Sequence, residues 1–136
     1  MTNSDYYIGL ISGTSVDGVD CALVQFEGNQ PKLIASHCEA IDPDLRETIL
    51  QLCSGKNIDL ELLGTTDIAI GQLFAKGVAT LLAKQTVEKS SILAIGSHGQ
   101  TVFHHPVGDT RFSLQMGDPN SIAQRTGITT VADFRR

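Results

Sequence analysis

The sequence runs to 136 residues, 41% hydrophobic and 18% charged, which suits one packed core and excludes an intrinsically disordered chain. A net charge of −5 and a pI near 5.2 weigh against nucleic acid as a partner, because backbone phosphates would be repelled on average. The opening stretch MTNSDYYIGLISG has no basic leader and only a short apolar run, so it predicts neither a signal peptide nor a membrane span.

Tyr6 to Ser12 is apolar and β-prone and leads into the turn-rich octet Gly13-Thr-Ser-Val-Asp-Gly-Val-Asp20. Val19 to Phe26 is a second strand, apolar on both faces apart from Asp20 and Gln25, as central strands are. Gly28-Asn29 is a two-residue hairpin signal, which makes Lys32 to about Ala40 the third strand of an antiparallel meander. Asp42-Pro43 reads as N-cap and first residue of a helix with Leu45, Ile49 and Leu52 on one face and Gly55 near its end. Asp59 caps a longer helix whose stripe is Ile70, Leu73, Phe74, Gly77, Val78, Leu81 and Leu82; Gly77 on that stripe predicts a close packing contact.

Ile92 to Ile95 reads as a short buried strand ending in Gly96-Ser97-His98-Gly99. Gln100 to Gln115 forms a small hairpin around Pro106-Val-Gly-Asp109, and Asp118-Pro119 starts a short helix that Gly127 closes. Ile128 to Phe134 is the last strand. Helix-connected strands must run parallel, so the order describes an α/β domain: a meander followed by β-α units. That is one half of the ribonuclease-H-like, actin-like ATPase fold, in a single N-terminal domain spanning 1–136. The three cysteines, Cys21, Cys38 and Cys53, each sit in an apolar run without C-x-x-C spacing. They predict buried free thiols and a reducing cytoplasm rather than a disulfide or zinc site.

Three segments carry chemistry. The octet offers two glycines, Gly13 and Gly18, for close backbone approach, with hydroxyls on Thr14 and Ser15. Such a loop can cradle a phosphate, with Asp17 or Asp20 near a magnesium ion or its waters. On spacing alone an ordinary β-turn explains it better, and no Walker or dinucleotide fingerprint is present. The second segment, Gly96 to His105, gathers polar side chains just past a buried strand end, where open α/β sheets place ligands. His98, Gln100 and Thr101 suit a sugar with many hydroxyls, whereas His105 reads as a solvated turn residue. In the third, Asp118 is an N-cap first and a ligand contact second, and Arg135 and Arg136 are positioned to pair with a carboxylate or phosphate, or simply to be solvated.

Taken together, Tyr7 to Asp20, Ile95 to His104 and Gly127 to Arg136 resemble the anhydro-N-acetylmuramic acid kinase family, co-linearly and over the whole chain. The resemblance implies a hexokinase-type fold, ATP and Mg2+ as cofactors, and phosphorylation of the 6-oxygen of 1,6-anhydro-N-acetylmuramic acid as water opens the anhydro ring. It implies a cytoplasmic role in peptidoglycan recycling, an amino sugar and ATP as partners without nucleic acid or membrane, and a homodimer at full length. Gly13, Thr14, Ser15, Asp17, Gly18 and Asp20 would serve ATP phosphates and magnesium. His98, Gln100, Thr101, Asp118, Arg135 and Arg136 would face the sugar. The family's catalytic aspartate lies in a later Asp-Thr-Gly-Pro-Gly-Asn motif that this sequence lacks, so the catalytic base is expected beyond residue 136 and the 136 residues alone are expected to be inactive. Two other readings are a non-catalytic sugar- or nucleotide-binding module and a metal-dependent nuclease. The nuclease would need a carboxylate in mid-strand, where Tyr7-Ile8-Gly9-Leu10-Ile11 has none.

Overall fold

The computed structural model describes residues 5–135. The elements follow in the order β1 (Tyr6–Ser12), β2 (Gly18–Glu27), β3 (Gln30–Ala40), α1 (Pro43–Ser54), α2 (Leu60–Ala83), β4 (Ile92–His105), β5 (Phe112–Met116), α3 (Pro119–Thr126) and β6 (Thr130–Ala132). They build an open mixed sheet in the order β3-β2-β1-β4-β5, with β6 also paired to β4. The meander β1-β2-β3 is antiparallel throughout, turning at Gly28 with φ 64°. β1 runs parallel to β4, and β4 runs parallel to β6. This is the α/β architecture of an actin-like ATPase half-domain.

The helix ends follow from capping chemistry. Asp42 accepts from Leu45 N at 3.0 Å and Asp59 from Leu62 N at 2.7 Å, each satisfying a backbone donor that the first turn leaves unpaired. Gly55 and Gly127 close α1 and α3 at φ 69° and 70°, a left-handed conformation in which a side chain is strained.

The core lies between the sheet and the helices. Ile8, Leu10, Val19, Cys21, Leu23 and Ile95 from the strands meet Ile70, Phe74, Val78 and Leu81 of α2, with Ile49 and Ile122 from the other helices. Gly77 fulfils the close contact its place on the stripe predicts: an added Cβ would lie 2.7 Å from Cys21 Sγ. Gly71 does the same toward α3, where a Cβ would meet the Asp118 carbonyl oxygen at 2.7 Å. At the sheet edge, buried Glu39 of β3 binds Lys76 of α2 at 2.6 Å and His37 at 2.8 Å. Those two bonds, the lysine's first, hold its carboxyl below the usual carboxylate range despite burial.

On the opposite face, Ile11, Leu93 and Val131 stay substantially exposed. A row of small residues, Ala22, Gly9 and Gly96, crosses the middle of that face.

Four details differ from the sequence reading. β4 is a 14-residue strand, not a short one. Gly96-Ser97-His98-Gly99 has the composition of a turn, but the chain continues through it with only a local irregularity at Gly99, φ 76°. The last strand stops at Ala132 because Asp133 takes a φ of 61°. Of the cysteines only Cys21 is buried. Cys38 lies on the edge strand, and Cys53, near the end of α1, is exposed although its Sγ lies 3.9 Å from Thr101 O of β4.

Gly77→Ala tests the packing. Alanine gains about 1 kcal/mol of helix propensity, but filling an occupied space costs about 1–3 kcal/mol. Urea unfolding is expected to show net destabilisation, and adding Cys21→Ala to Gly77→Ala is expected to recover part of the loss.

Candidate functional site

The parallel strands β1, β4 and β6 end on the same edge of the sheet, and the segments after them meet there. Open α/β sheets place ligands at this carboxyl edge because the chain there is free of ladder pairing and its side chains converge. Three stretches far apart in the sequence come together in this way: Gly13 to Asp17, His98 to Thr101, and Asp133 to Arg135.

The loop after β1 is a tight turn. Val16 N donates to Gly13 O at 3.1 Å, and Val16 takes a φ of 52°, rare for a β-branched residue. Its side chain is 1% exposed, so core packing holds the strained backbone in place. Arg46 of α1 donates to Ser15 O at 3.3 Å, and Ser15 Oγ donates to Asp17 Oδ1 at 2.9 Å. Gly13, Thr14 and Ser15 are exposed and can offer N–H and O–H donors to an anion, and Asp17 is exposed beside them.

Gly18 has a different role from the phosphate contact expected of it. It is buried as the first residue of β2 and pairs with Ala40, and a Cβ there would lie 2.5 Å from Cys38 Sγ. Its missing side chain serves strand packing. Asp20 points to the uncovered sheet face, lining an open apolar hollow of about 330 Å³ with Gly9, Ala22, Gly96, His98 and Phe134. Among the described residues no group of three or more His, Cys, Asp or Glu is placed to hold a metal.

Gln100 also departs from expectation. It is 1% exposed and its amide is hydrogen-bonded at both ends. Its Oε1 accepts from buried Ser12 Oγ, and its Nε2 donates to Gly13 O at 3.3 Å and Thr101 O at 3.1 Å. Both amide hydrogens are used and the side chain is sealed from solvent, so it does not face a sugar hydroxyl. It fixes the start of the Gly13 loop to β4.

His98 and Thr101 belong to a second network. Thr101 Oγ1 donates to Gln115 Oε1 at 2.8 Å, as does Ser113 Oγ at 2.6 Å, and Gln115 Nε2 donates to His98 O at 3.0 Å. Arg135 Nη1 lies 3.1 Å from His98 Nε2. A guanidinium only donates, so His98 accepts at Nε2, while its Nδ1 lies 3.2 Å from the Gly99 carbonyl and 3.4 Å from Gln115 Nε2. Arg135 is thus brought onto His98, while Arg136 lies outside the described residues.

Asp118 is chiefly a cap. It accepts from Ser121 Oγ at 2.6 Å, Ser121 N at 2.8 Å and Asn120 N at 3.3 Å, and the Ser121 hydroxyl leads the causes that lower its pKa. Beside it, Asp67 of α2 accepts from Gly117 N at 2.7 Å, and burial pushes its carboxyl up from the ordinary range. Asp67, Ser97 and Gln115 line a cavity of about 210 Å³ with His98, Gly117 and Asp133. Residue type alone does not mark out any of the first three. Gln115 was discoverable in principle, since the hairpin register places it opposite Thr101.

A family model described as Anhydro-N-acetylmuramic acid kinase matches residues 5–136. The chain belongs to the anhydro-N-acetylmuramic acid kinase family. It is 52% identical over 134 residues to the protein of that name from Shewanella pealeana, and 53% identical over 134 residues to that from Shewanella halifaxensis. It is 55% identical over 131 residues to that from Shewanella baltica. These alignments cover 96–98% of this chain but 36% of each relative, as its N-terminal part. No described helix is long and apolar enough to cross a membrane.

Gln100→Leu, in a full-length protein carrying this sequence, is expected to lower stability by about 1–3 kcal/mol, because Ser12 Oγ loses its buried partner. Ser12→Ala combined with Gln100→Leu is expected to cost less than the sum of the two single changes, as measured by urea unfolding.

Proposed function

We propose that this chain forms the phosphate loop and one wall of the sugar cleft in an ATP-dependent kinase acting on 1,6-anhydro-N-acetylmuramic acid. The reading rests on one observation: three family-like segments, separated in sequence, converge at the carboxyl edge of a single sheet. The product is the 6-phosphate of N-acetylmuramic acid, with water opening the anhydro ring, in cytoplasmic recycling of peptidoglycan. The working enzyme is a homodimer of longer chains.

In this reading the exposed backbone of Gly13 to Ser15 and the hydroxyls of Thr14 and Ser15 hold the phosphates of ATP, as oriented N–H and O–H donors do. Magnesium, when bound, offsets the charge of those phosphates; Asp17, and Asp20 more remotely, would hold its waters. Val16 keeps the loop's shape before the nucleotide arrives, so little ordering remains to be done on binding. His98 and Arg135 face the sugar as a linked pair, and Thr101 acts through Gln115 to set the position of His98. Arg136 is assigned to the same wall by resemblance alone, and Asp118 supports the wall as a cap. Phosphoryl transfer depends on positioning and charge neutralisation from several elements together, so the base that accepts the substrate hydroxyl proton is assigned to a segment outside these residues.

The rival reading, a sugar- or nucleotide-binding module without catalysis, predicts ligand binding without turnover. The test is ADP release by a full-length kinase carrying this sequence, with anhydro-N-acetylmuramic acid as acceptor. Sugar-dependent ADP release is expected. Asp17→Asn should lower turnover and raise the magnesium concentration needed. Thr101→Val should raise the KM for sugar about 2- to 12-fold, the equivalent of one neutral hydrogen bond, and leave the KM for ATP nearly unchanged. Wild-type protein that binds both ligands yet releases no ADP would favour the binding module.

A further inference from the structure

A second cavity lies at the opposite end of the sheet from the candidate site. It opens between the last turns of α2, the end of α3 and the turn that leads into β4, and its volume is about 370 Å³. The sequence explains the gap. Ala75, Ala79 and Ala83 fall at four-residue spacing along α2, so successive turns present only methyl groups toward α3. Val78, Leu82 and Ile128 complete an apolar floor. Thr126 also lines the space, but its hydroxyl already donates to Ile122 O at 2.7 Å and accepts from Ile128 N at 3.2 Å.

The charge at the rim is one-sided. Lys89 and Arg125 line the cavity and no Asp or Glu does, in a chain whose net charge is −5. Among the described residues neither cationic side chain has an ion-pair or hydrogen-bond partner. The C-terminal end of α3 accounts for part of this. Arg125 sits in its last turn, and a Cβ on Gly127 would lie 3.0 Å from Lys89 Nζ, so both belong to that end. A helix terminus carries only about half an elementary negative charge, which leaves more than one positive charge over.

These features limit what binds. A sugar would find few free hydrogen-bonding groups besides the two cations, and a bare inorganic anion would leave the apolar floor unused. A molecule with one anionic end and an apolar body matches both parts. By liquid-water volume the space equals about twelve waters, so a body of roughly a dozen non-hydrogen atoms fills it.

We infer that this cavity is a binding site for a small amphiphilic anion. Its carboxylate or phosphate is held by Lys89 and Arg125, and its aliphatic or aromatic body lies against α2. The site is separate from the carboxyl edge and stands independently of the kinase reading.

The probes are 2-naphthoate and 2-naphthyl phosphate, with uncharged 2-naphthamide as control, titrated calorimetrically into a full-length protein carrying this sequence. At least one anion should bind saturably at one site per chain, and the amide should bind more weakly. Lys89→Gln and Arg125→Gln should each weaken anion binding about 2- to 5-fold, as exposed charge pairs do, and by less at high salt. Ala79→Leu, at an exposed helix position, should abolish binding by filling the space while the melting temperature stays close to that of the wild type. Which anion binds decides between carboxylate and phosphate. Amide binding as tight as that of the anions would overturn the role of the two cations. Binding that survives in Ala79→Leu, or that ATP displaces, would place the probe elsewhere and overturn the site. Failure of both anions to bind at millimolar concentration would overturn it too, whether the cavity stands empty or another part of the full-length protein fills it.

Discussion

The central position of β4 sets the geometry of everything else at the carboxyl edge. Running parallel to β1 on one side and β6 on the other, it brings two strand ends onto its own path. Past Ser97 it leaves β6, and from Gln100, still paired with Ser12 of β1, it pairs antiparallel with β5. Gly99 has φ 76°, and a Cβ there would lie 2.6 Å from the Met116 carbonyl oxygen, so backbone conformation and space both restrict the position to glycine. One uninterrupted strand thus carries His98 toward β6 and Gln100 toward β1. The two polar networks of the site meet on this strand, where Gln100 Nε2 donates to Thr101 O.

The helical layer reaches the same edge by close approach. α2 contacts β2 through Gly77 and the start of α3 through Gly71, and it places Asp67 beside Gly117. The Asp67 carbonyl also accepts from Asp118 N at 3.1 Å, so one residue of α2 fixes the chain on entry to α3 through both its side chain and its backbone. Packing density and polar geometry are coupled here. A bulkier residue at either glycine would push the helix outward and move Asp67 with it.

The sequence made the fold readable wherever the pattern was strong. The three meander strands, both long helices with their aspartate caps, and the packing role of Gly77 all follow from period, capping chemistry and turn residues. The continuation of β4 was hidden because Gly-Ser-His-Gly has the composition of a turn, and only its pairing partners, distant in sequence, make it a strand. The same limit applied to the site. Polar residues at a strand end marked the correct edge, but composition does not distinguish a side chain facing a ligand from one facing its own backbone. Gln100 and Gly18 therefore read as contacts, although one is sealed in a hydrogen-bond network and the other is packed against β3 within the sheet. Ser97 and Asp67 passed unnoticed for the converse reason. A serine in a strand and an aspartate in mid-helix are ordinary in sequence, and only the shared cavity relates them.

The pairing order also bears on synthesis. β1 acquires β2 almost as soon as both exist, but its other neighbour is made only after both long helices have been translated. At ribosomal speeds of 5–20 residues per second this leaves roughly 4–16 s in which the nascent meander offers one open edge of backbone donors and acceptors. That edge is the inner side of Tyr6–Ser12, the most apolar strand of the meander, so the interval is when mispairing with another nascent chain is easiest. The late arrival of β4 makes the strand that organises the site also the one that closes this window.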